Sequence, residues 1–581
     1  MRTMIAALAL ASASIAPAAP ADDFKVLLAD HWRWTLANNP VLASRMGDRS
    51  GDGKLDDISL TGADREAKEA QGFIDRLGAI PDSGLSPADR ENKAVLLRLL
   101  GQSVEANRFG QRQMLFTTYY SWFQGFASLA DRSPFKTAAD YRSYLDRLAA
   151  YPAYNAEAMK ITAQAVAGGF TQPCDVLGGF DKTIAGLIAP DPAQSRFLQP
   201  FARTRPTDMS EADWAAAKAR AGEIVTTVLN PQHEKLLAFY RTTYLPKCRK
   251  TEGASAMPQG AAYYASRIRA ETTTDLTADQ IHRIGLSEVA RIGAEMDALA
   301  ARAGYADRAA FVTRLRTDPS YYATTPEALM AVAALQAKRI DGMLPAWFAT
   351  LPRLPYGIRA IPAETAEGTT TAYYGPGSPA AGIAGTYWVN TSKLDQRPLY
   401  ELPALTAHES VPGHHNQIAR AQELDLPEFR RNASFAAFTE GWGLYAEKLG
   451  IAMGLYDTPE KEMGRLSYEM WRACRLVVDT GIHAKGWTKA QAIAFMTEHT
   501  ALSAANIEAE VNRYISWPGQ ALAYKLGELR ILAVRAKAEQ ALGARFDIRR
   551  FHDAVLGGGA IPLDVLEARM DAWVKAEAAR P

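Results

Sequence analysis

The chain is organised around His408-Glu409-Ser410-Val411-Pro412-Gly413-His414-His415, a stretch that contains three of its nine histidines. Neutral imidazole is a good zinc ligand, and a carboxylate next to a metal can accept a proton from a water molecule that the metal activates. The stretch therefore predicts a metal site carried on helical sequence, with Glu409 as the base.

The spacing departs from the H-E-x-x-H pattern of zinc peptidases, because the second histidine comes two residues late. Pro412 has no N–H to donate to the carbonyl of His408, and Gly413 tolerates unusual backbone angles. Together they predict a broken turn that returns His414 to the side of His408. His415 stays open as the alternative ligand, although on a straight helix its Cα would lie about 10 Å from that of His408.

A zinc peptidase needs a third protein ligand, and the candidate is Glu440, which follows His414 by 26 residues. That separation leaves room for a helix end, a turn and an antiparallel helix. Gly441 and Gly443 would allow the helices to approach closely. Glu447 would share the face of Glu440, as its partner or as an alternative ligand.

Two later stretches contain candidates for the rest of the chemistry. The hydrolysis of a peptide bond passes through an oxyanion, which a Tyr hydroxyl or an imidazole can stabilise. Tyr514 and His483 are the candidates for this role, and Asp479 could orient His483. Arg513 could hold a substrate carboxylate. Each of them could instead be a buried, hydrogen-bonded structural residue.

Residues 354–391 are rich in Pro, Gly, Tyr and Thr, and they contain two β-prone runs, 369–374 and 385–390. The sequence therefore predicts one small sheet beside the metal-binding helix. The edge of such a sheet can accept an extended peptide as an additional strand. Tyr373 and Asn390 are accordingly candidate substrate-binding residues, and a purely structural hairpin is the alternative.

The first 21 residues have the pattern of an export signal: Arg2, an apolar run over residues 4–15, and the small residues Ala19-Pro20-Ala21 before Asp22. The apolar run is too short to span a bilayer, and no cysteine follows it to carry a lipid anchor. We expect an exported protein, periplasmic or secreted, with no membrane insertion.

The rest of the chain fits a large, mainly α protein. Residues 22–350 show helical periodicity, and residues 351–581 form the predicted catalytic region. The 65 basic and 64 acidic residues nearly cancel, which argues against a nucleic-acid partner. Cys174 and Cys248 could form a disulfide, whereas Cys474 lies in an apolar helical stretch and is expected to be a buried thiol. The oligomeric state is left open.

Several of these stretches together resemble the bacterial DUF885 family, and the similarity extends over most of the chain after the export signal. They are residues 373–390, 408–415, 438–447, 479–483 and 513–520. Members of this family resemble helical zinc metallopeptidases of the gluzincin type, including the thimet-oligopeptidase-like and carboxypeptidase Taq-like groups. The resemblance implies a largely helical fold with a deep cleft, in which one helix carries H-E and a later helix carries another ligand.

The function predicted from these residues is zinc-dependent hydrolysis of peptide bonds, with one Zn²⁺ per chain and a peptide as the partner. His408, His414 and Glu440 would hold the metal, Glu409 would act as the base, and Tyr514 or His483 would stabilise the oxyanion. A non-catalytic metal-binding protein is the second hypothesis. A metal-dependent hydrolase of another amide or of an ester is the third.

Overall fold

The computed structural model describes residues 19–362, 366, 369–379 and 383–580. Most of the predicted export signal lies outside these residues. The described chain is mainly helical and contains one three-stranded sheet, which confirms the predicted fold class.

Helices dominate the chain up to residue 350. They are Pro20–Asn38, Pro40–Arg45, Leu60–Ala79, Pro87–Ala106, Trp122–Ala127, Leu129–Arg132, Ala138–Ala149, Tyr151–Gly168, Asp181–Ala185, Glu211–Ile224, Asn230–Phe239, Gly260–Thr272, Ala278–Arg302, Arg308–Thr317 and Pro326–Asp341. Several begin where capping residues predict a start. Thr277 and Gln280 form a capping box, as do Thr488 and Gln491 later in the chain, and the Ser86 hydroxyl accepts the N–H of the third helical residue.

The C-terminal part is also helical. Its helices are Leu402–Glu409, His414–Glu423, Glu428–Arg431, Ala436–Ala452, Pro459–Lys485, Lys489–His499, Ala504–Ser516, Ala523–Leu542, Ile548–Leu556 and Leu563–Ala578. The longest of them, Pro459–Lys485, packs against Ala278–Arg302, and Ala436–Ala452 packs against Ala523–Leu542. The two largest hydrophobic clusters each contain residues from both sides of residue 350. Helices of the N-terminal region therefore support those that carry the candidate ligands.

The sheet has the order β1-β3-β2, with β1 at Tyr356–Ala360, β2 at Ala372–Gly375 and β3 at Gly385–Val389. β3 lies in the centre, parallel to β1 and antiparallel to β2. The sheet follows from the two predicted β-prone runs and from β1, a strand that the sequence does not single out. Within the described chain, β2 has one unpaired edge, and it packs beside the helix Leu402–Glu409.

The cysteines behave as the sequence suggests. Cys174 and Cys248 form a disulfide with Cα atoms 5.0 Å apart, and Cys474 is a free, buried thiol. Among the described residues, none of the helices combines the length and the apolar character that crossing a bilayer would require.

Candidate metal centre

The backbone breaks between two helices at the Pro-Gly pair. The first ligand helix, Leu402–Glu409, ends before Ser410, and the second ligand helix begins at His414. The Val411–Pro412 peptide bond is cis. A Cβ on Gly413 would lie 1.9 Å from the carbonyl oxygen of His408, so the close return of the chain requires glycine here. The predicted broken turn is thus present.

The break brings the three predicted ligands together. The Nε2 atoms of His408 and His414 lie 3.5 and 3.4 Å from Oε2 of Glu440, and one ligand atom from each residue falls within 4.8 Å of the others. With zinc–nitrogen bonds of about 2.0–2.1 Å, neighbouring ligand atoms of a tetrahedral site are about 3.4 Å apart. Two imidazoles and one carboxylate at these distances fit a zinc ion.

His415 points to different partners. Its Nδ1 lies 3.0 Å from the Tyr374 hydroxyl, and its ring packs 4.7 Å from the ring of Tyr356. Burial lowers the pKa of His415 to about 4. The ligand cluster contains His414 and leaves His415 out, and His415 instead attaches the second ligand helix to the sheet.

A second carboxylate orients His408. Nδ1 of His408 is 2.8 Å from Oε1 of Glu447, which also lies 3.4 Å from Nη2 of Arg472. Because Nδ1–H donates to Glu447, Nε2 is the nitrogen that faces Glu440 and that can bind a metal once it has lost its proton. Carboxylate partners of this kind fix the tautomer and the direction of metal-binding histidines. The sequence predicts Glu447 but gives no signal for Arg472, which lies on the helix Pro459–Lys485.

Two glycines on Ala436–Ala452, the third ligand helix, make this approach possible. A Cβ on Gly443 would lie 2.6–2.9 Å from three atoms of the His408 ring. A Cβ on Gly441 would lie 2.5 Å from the backbone of Gly527, on the neighbouring helix Ala523–Leu542. The predicted role of both glycines in close packing is confirmed.

The electrostatics of the cluster depend on its carboxylates. Burial acts to lower the pKa of His408, but hydrogen bonds to Glu440 and Glu447 outweigh it and raise the pKa to about 9. Burial acts to raise the pKa of Glu440, but His414 and His408 hold it well below its usual range. In the metal-free protein, a proton on His408 therefore supplies part of the positive charge that a bound cation would provide.

Glu409 lies beside the cluster as the last residue of the first ligand helix. Its side chain is largely buried, and it makes no hydrogen bond or ion pair with any described residue. It is close enough to His408 to contribute to the raised pKa of that imidazole. A carboxylate without a partner next to a ligand is available for proton transfer.

The Tyr514 hydroxyl is already engaged. It accepts hydrogen bonds from Nε1 of Trp471 and Nε of Arg475, both at 2.9 Å, and it also interacts with Glu510. A hydroxyl that accepts two N–H groups and contacts a carboxylate has no proton left for an oxyanion. This arrangement does not support the oxyanion role predicted for Tyr514.

His483 also proves to be structural. Its Nδ1 accepts the N–H of Ala254, and its Nε2 donates to the carbonyl of Tyr514, both at 3.0 Å. Asp479 does not orient it, because that carboxylate accepts from the Tyr264 hydroxyl and from the N–H of Gly519. With both ring nitrogens bonded to the backbone, His483 does not serve as the predicted oxyanion donor.

Tyr524 lies near the ligand cluster, and Arg513 lies beside Tyr524. Nη2 of Arg513 approaches Glu510 only to 3.5 Å, and its Nε and Nη2 make no hydrogen bond within the described chain. Its guanidinium lies 5.9 Å from the ring centre of Tyr524. Burial and then the Glu440 carboxylate raise the pKa of Tyr524, which places this tyrosine near the ligands. The sequence analysis did not single out Tyr524. The pattern that could have indicated it is Gly527, three residues later, which lies at the close contact with the helix that carries Glu440.

The two candidates in the sheet differ. Nδ2 of Asn390 donates to the carbonyls of Ala366, Thr369 and Thr370, and Oδ1 accepts from Ser392. Every polar atom of Asn390 thus holds a turn, which corrects its predicted role in substrate binding. Tyr373 is 38% exposed on β2, the strand with a free edge, so it remains a candidate.

Comparisons with known proteins give a family and a fold. The family model described as "Bacterial protein of unknown function (DUF885)" matches residues 40–570. A solved structure described as a "putative lipoprotein" from Colwellia psychrerythraea is 26% identical, with a TM-score of 0.88 over 96% of this chain and all of that one. Another, from Shewanella oneidensis and described as a "putative lipoprotein of unknown function", is 19% identical, with a TM-score of 0.71 over 95% of this chain and all of that one.

No curated protein matches the chain. The family match covers nearly all of the described residues, including both ligand stretches and the segment 513–524. This chain belongs to the DUF885 family.

Proposed function

We propose that this protein is a zinc-dependent peptidase. The observation that carries the proposal is the grouping of two imidazoles and a carboxylate within 4.8 Å, next to Glu409, which has no hydrogen-bond or ion-pair partner among the described residues. Two further features support it. Glu447 orients His408, and the broken turn at Gly413 serves to return His414 to the cluster. A cluster of ion pairs with a purely structural role would need neither the orienting carboxylate nor the broken turn.

Each residue has a defined part in the proposed reaction. Nε2 of His408, Nε2 of His414 and the Glu440 carboxylate would hold the zinc ion. When bound, zinc supplies a Lewis acid that polarises the scissile carbonyl and lowers the pKa of a water molecule. Glu409 accepts the proton of the attacking water and delivers it to the leaving amine.

The oxyanion is assigned to a different tyrosine from the one predicted. Tyr524 interacts with Glu440 and with Gln520, whereas three neighbouring side chains already occupy the Tyr514 hydroxyl. We therefore assign oxyanion stabilisation to the Tyr524 hydroxyl, with the positive charge of Arg513 behind it. A donor held in place before the reaction stabilises the developing charge without reorganisation.

The sheet supplies the substrate-binding element of the proposal. Within the part of the chain that the structure describes, no strand pairs with the outer edge of β2, and β2 packs beside the first ligand helix, where the base is located. An extended peptide can pair with such an edge through main-chain hydrogen bonds. Tyr373, which packs 6.1 Å from Trp388 with nearly parallel rings, would contact a substrate side chain.

The test compares zinc content and peptide cleavage in one preparation. The full chain is purified with its metal, zinc is counted by mass spectrometry, and a mixed peptide library is incubated with the wild type and with Glu409→Gln. The proposal requires about one zinc in both proteins and cleavage in the wild type alone. Bound zinc without cleavage would identify a metal-binding protein. Turnover of esters or non-peptide amides alone would identify the third class of function.

We also propose that the protein is exported. The two solved structures carry the name lipoprotein in their descriptions, and residues 1–21 have the pattern of an export signal. N-terminal sequencing of the protein from its native host should find a start near Asp22. A functional protein that begins at Met1 would contradict the proposal.

A further inference from the structure

A second site lies away from the metal ligands. A cavity of about 480 Å³ opens between the helices Leu60–Ala79 and Pro87–Ala106 and the segment 515–518. This volume is within the range of sites for small ligands. Three aromatic side chains, Tyr120, Tyr263 and Trp517, form part of its wall.

Two buried amides in the wall of the cavity have acceptors without a hydrogen-bond partner among the described residues. Nε2 of Gln111 donates to the carbonyl of Pro258, and Nε2 of Gln172 donates to that of Phe116, both at 2.9 Å. These bonds fix which end of each amide is oxygen. Gln111 and Gln172 are only 4% and 2% exposed, and their buried Oε1 atoms lack a hydrogen-bond partner. Because a buried acceptor without a partner is costly, they favour a ligand with N–H groups.

The cavity also contains an unpaired positive charge. Of its three arginines, Arg112 pairs with Asp64 and Arg267 with Glu271, whereas no described carboxylate lies within ion-pair distance of Arg249. Nε and Nη1 of Arg249 donate to main-chain carbonyls, and Nη2 has no described hydrogen bond. Burial lowers the pKa of Arg249 to about 10, so its guanidinium stays charged at neutral pH. It is free to bind an anion.

The walls that carry these groups are held rigidly. The main-chain N–H of Arg249 donates to the carbonyl of Gln172 at 3.1 Å, and the N–H of Cys174 donates to the carbonyl of Arg249 at 2.8 Å. The disulfide between Cys174 and Cys248 joins the same two segments covalently. Gln172 and Arg249 are therefore fixed relative to each other, as a preorganised binding site requires.

A row of side chains links the cavity to the metal ligands. The ring centre of Trp517 lies 6.5 Å from that of Tyr119, and the Arg513 guanidinium lies 5.6 Å from Tyr119 and 5.9 Å from Tyr524. Tyr524 in turn interacts with Glu440. These contacts place the ring of Trp517 at most about 18 Å from that of Tyr524, which is the length of about five residues of extended peptide.

We propose that this cavity binds the free carboxyl end of a peptide whose scissile bond lies at the metal ligands. The carboxylate pairs with Arg249, peptide N–H groups donate to Gln111 and Gln172, and an apolar side chain packs on the aromatic wall. The inference rests on the proposed peptidase activity and narrows it to the release of short C-terminal fragments.

The test measures binding with a peptide that is not cleaved. Zinc-loaded Glu409→Gln protein is titrated calorimetrically with Ala-Ala-Ala-Ala-Phe, as the free acid and as the C-terminal amide. We expect the acid to bind at least 10-fold more tightly, since charge-assisted hydrogen bonds are about twice as strong as neutral ones. Adding Arg249→Gln should remove this preference, and Arg249→Lys should restore part of it.

A second variant fills the cavity from an exposed position. Ala106 lines the cavity at the end of Pro87–Ala106, so Ala106→Trp should abolish tight binding of the acid. Ala216→Trp, on the exposed face of Glu211–Ile224, is the matched control and should bind like its parent. Melting temperatures confirm that both variants fold. Should Ala106→Trp lose its fold, Tyr120→Ala makes the same test by removing part of the wall.

Three results would each overturn the inference: equal affinity for the acid and the amide, tight binding of the acid that survives in Ala106→Trp, or absence of peptide binding. Failure of the peptidase proposal looks different. The wild type would then cleave nothing in the library, while the preference for the acid and its loss in Ala106→Trp would remain.

Discussion

Gly443→Ala is the sharpest test of the metal site, because it adds one methyl group against one ligand. The new Cβ would lie 2.6, 2.8 and 2.9 Å from Cε1, Nε2 and Nδ1 of His408, whereas ordinary contact begins at 3.4 Å. The imidazole must retreat by several tenths of an ångström. Metal–ligand distances tolerate changes of about 0.2 Å.

We expect zinc affinity to fall roughly 10- to 100-fold, the scale seen when groups that orient a ligand are altered. This corresponds to a loss of about 1.4–2.7 kcal/mol in binding free energy. The assay is competition for zinc with a chelator of known affinity, at fixed pH. Peptide cleavage should fall in parallel at limiting zinc and recover partly when zinc is in excess.

The control is Gly72→Ala, in the exposed middle of Leu60–Ala79, where an added Cβ meets nothing within 4 Å. This change should stabilise the helix by up to about 1 kcal/mol and leave zinc binding unaltered. A Gly443→Ala protein that binds zinc as tightly as the wild type would refute the assignment of His408 as a ligand held against the third ligand helix.

The other predictions concern the base, the choice of histidine, the oxyanion and acid stability. Glu409→Gln should keep its zinc and fold while cleavage falls roughly 100- to 10,000-fold, measured on one preparation. His414→Ala should lose zinc and His415→Ala should retain it by metal analysis; the reverse result would exchange their roles. Tyr524→Phe should retain zinc and lower kcat rather than raise KM. An unchanged kcat would show that Tyr524 does not stabilise the oxyanion. Burial lowers the pKa of His233 from 6.5 to about 4, so its stabilising effect is complete above pH 6.5 and is lost as the pH falls towards 4. Between pH 7 and pH 5, the free energy of unfolding measured with urea should therefore fall by about 2 kcal/mol less in His233→Leu than in the wild type.

Local rules were enough to predict much of the fold and the grouping of the three candidate ligands. The capping boxes at Thr277 and Thr488 depend on residues three positions apart, and so does helix periodicity. The return of His414 follows from the Pro412-Gly413 pair, whose effect on the backbone is also local. These features need no knowledge of distant contacts.

The roles that failed depend on partners far away in the chain. Whether a ring nitrogen of His483 faces the site or the backbone was decided by Ala254, 229 residues earlier. The Asn390 amide was occupied by three main-chain carbonyls 20–24 residues earlier, and the Tyr514 hydroxyl by Trp471 and Arg475 on the neighbouring helix. A sequence shows that a side chain can donate or accept, but not that a neighbour has already used it.

The charges around the histidines favour a divalent cation. Glu409, Glu440 and Glu447 contribute three negative charges, and Arg472, which contacts Glu447, contributes one positive charge. A mostly buried net charge of this size is unfavourable unless it is compensated. The additional proton that His408 holds, because Glu440 and Glu447 raise its pKa to about 9, compensates only half of this net charge. A zinc ion would compensate all of it and release that proton.

The opposite side of Tyr524 carries the complementary charge. Arg475 and Arg513 share the single carboxylate of Glu510, and Nη1 of Arg475 and Nε of Arg513 make no described hydrogen bond. Their guanidinium groups lie 4.2 and 5.9 Å from the ring of Tyr524. A protein that only stores metal needs the negative side of such a site. Hydrolysis also needs a positive, preorganised side for the charge that develops on the substrate, and the presence of both sides favours an enzyme.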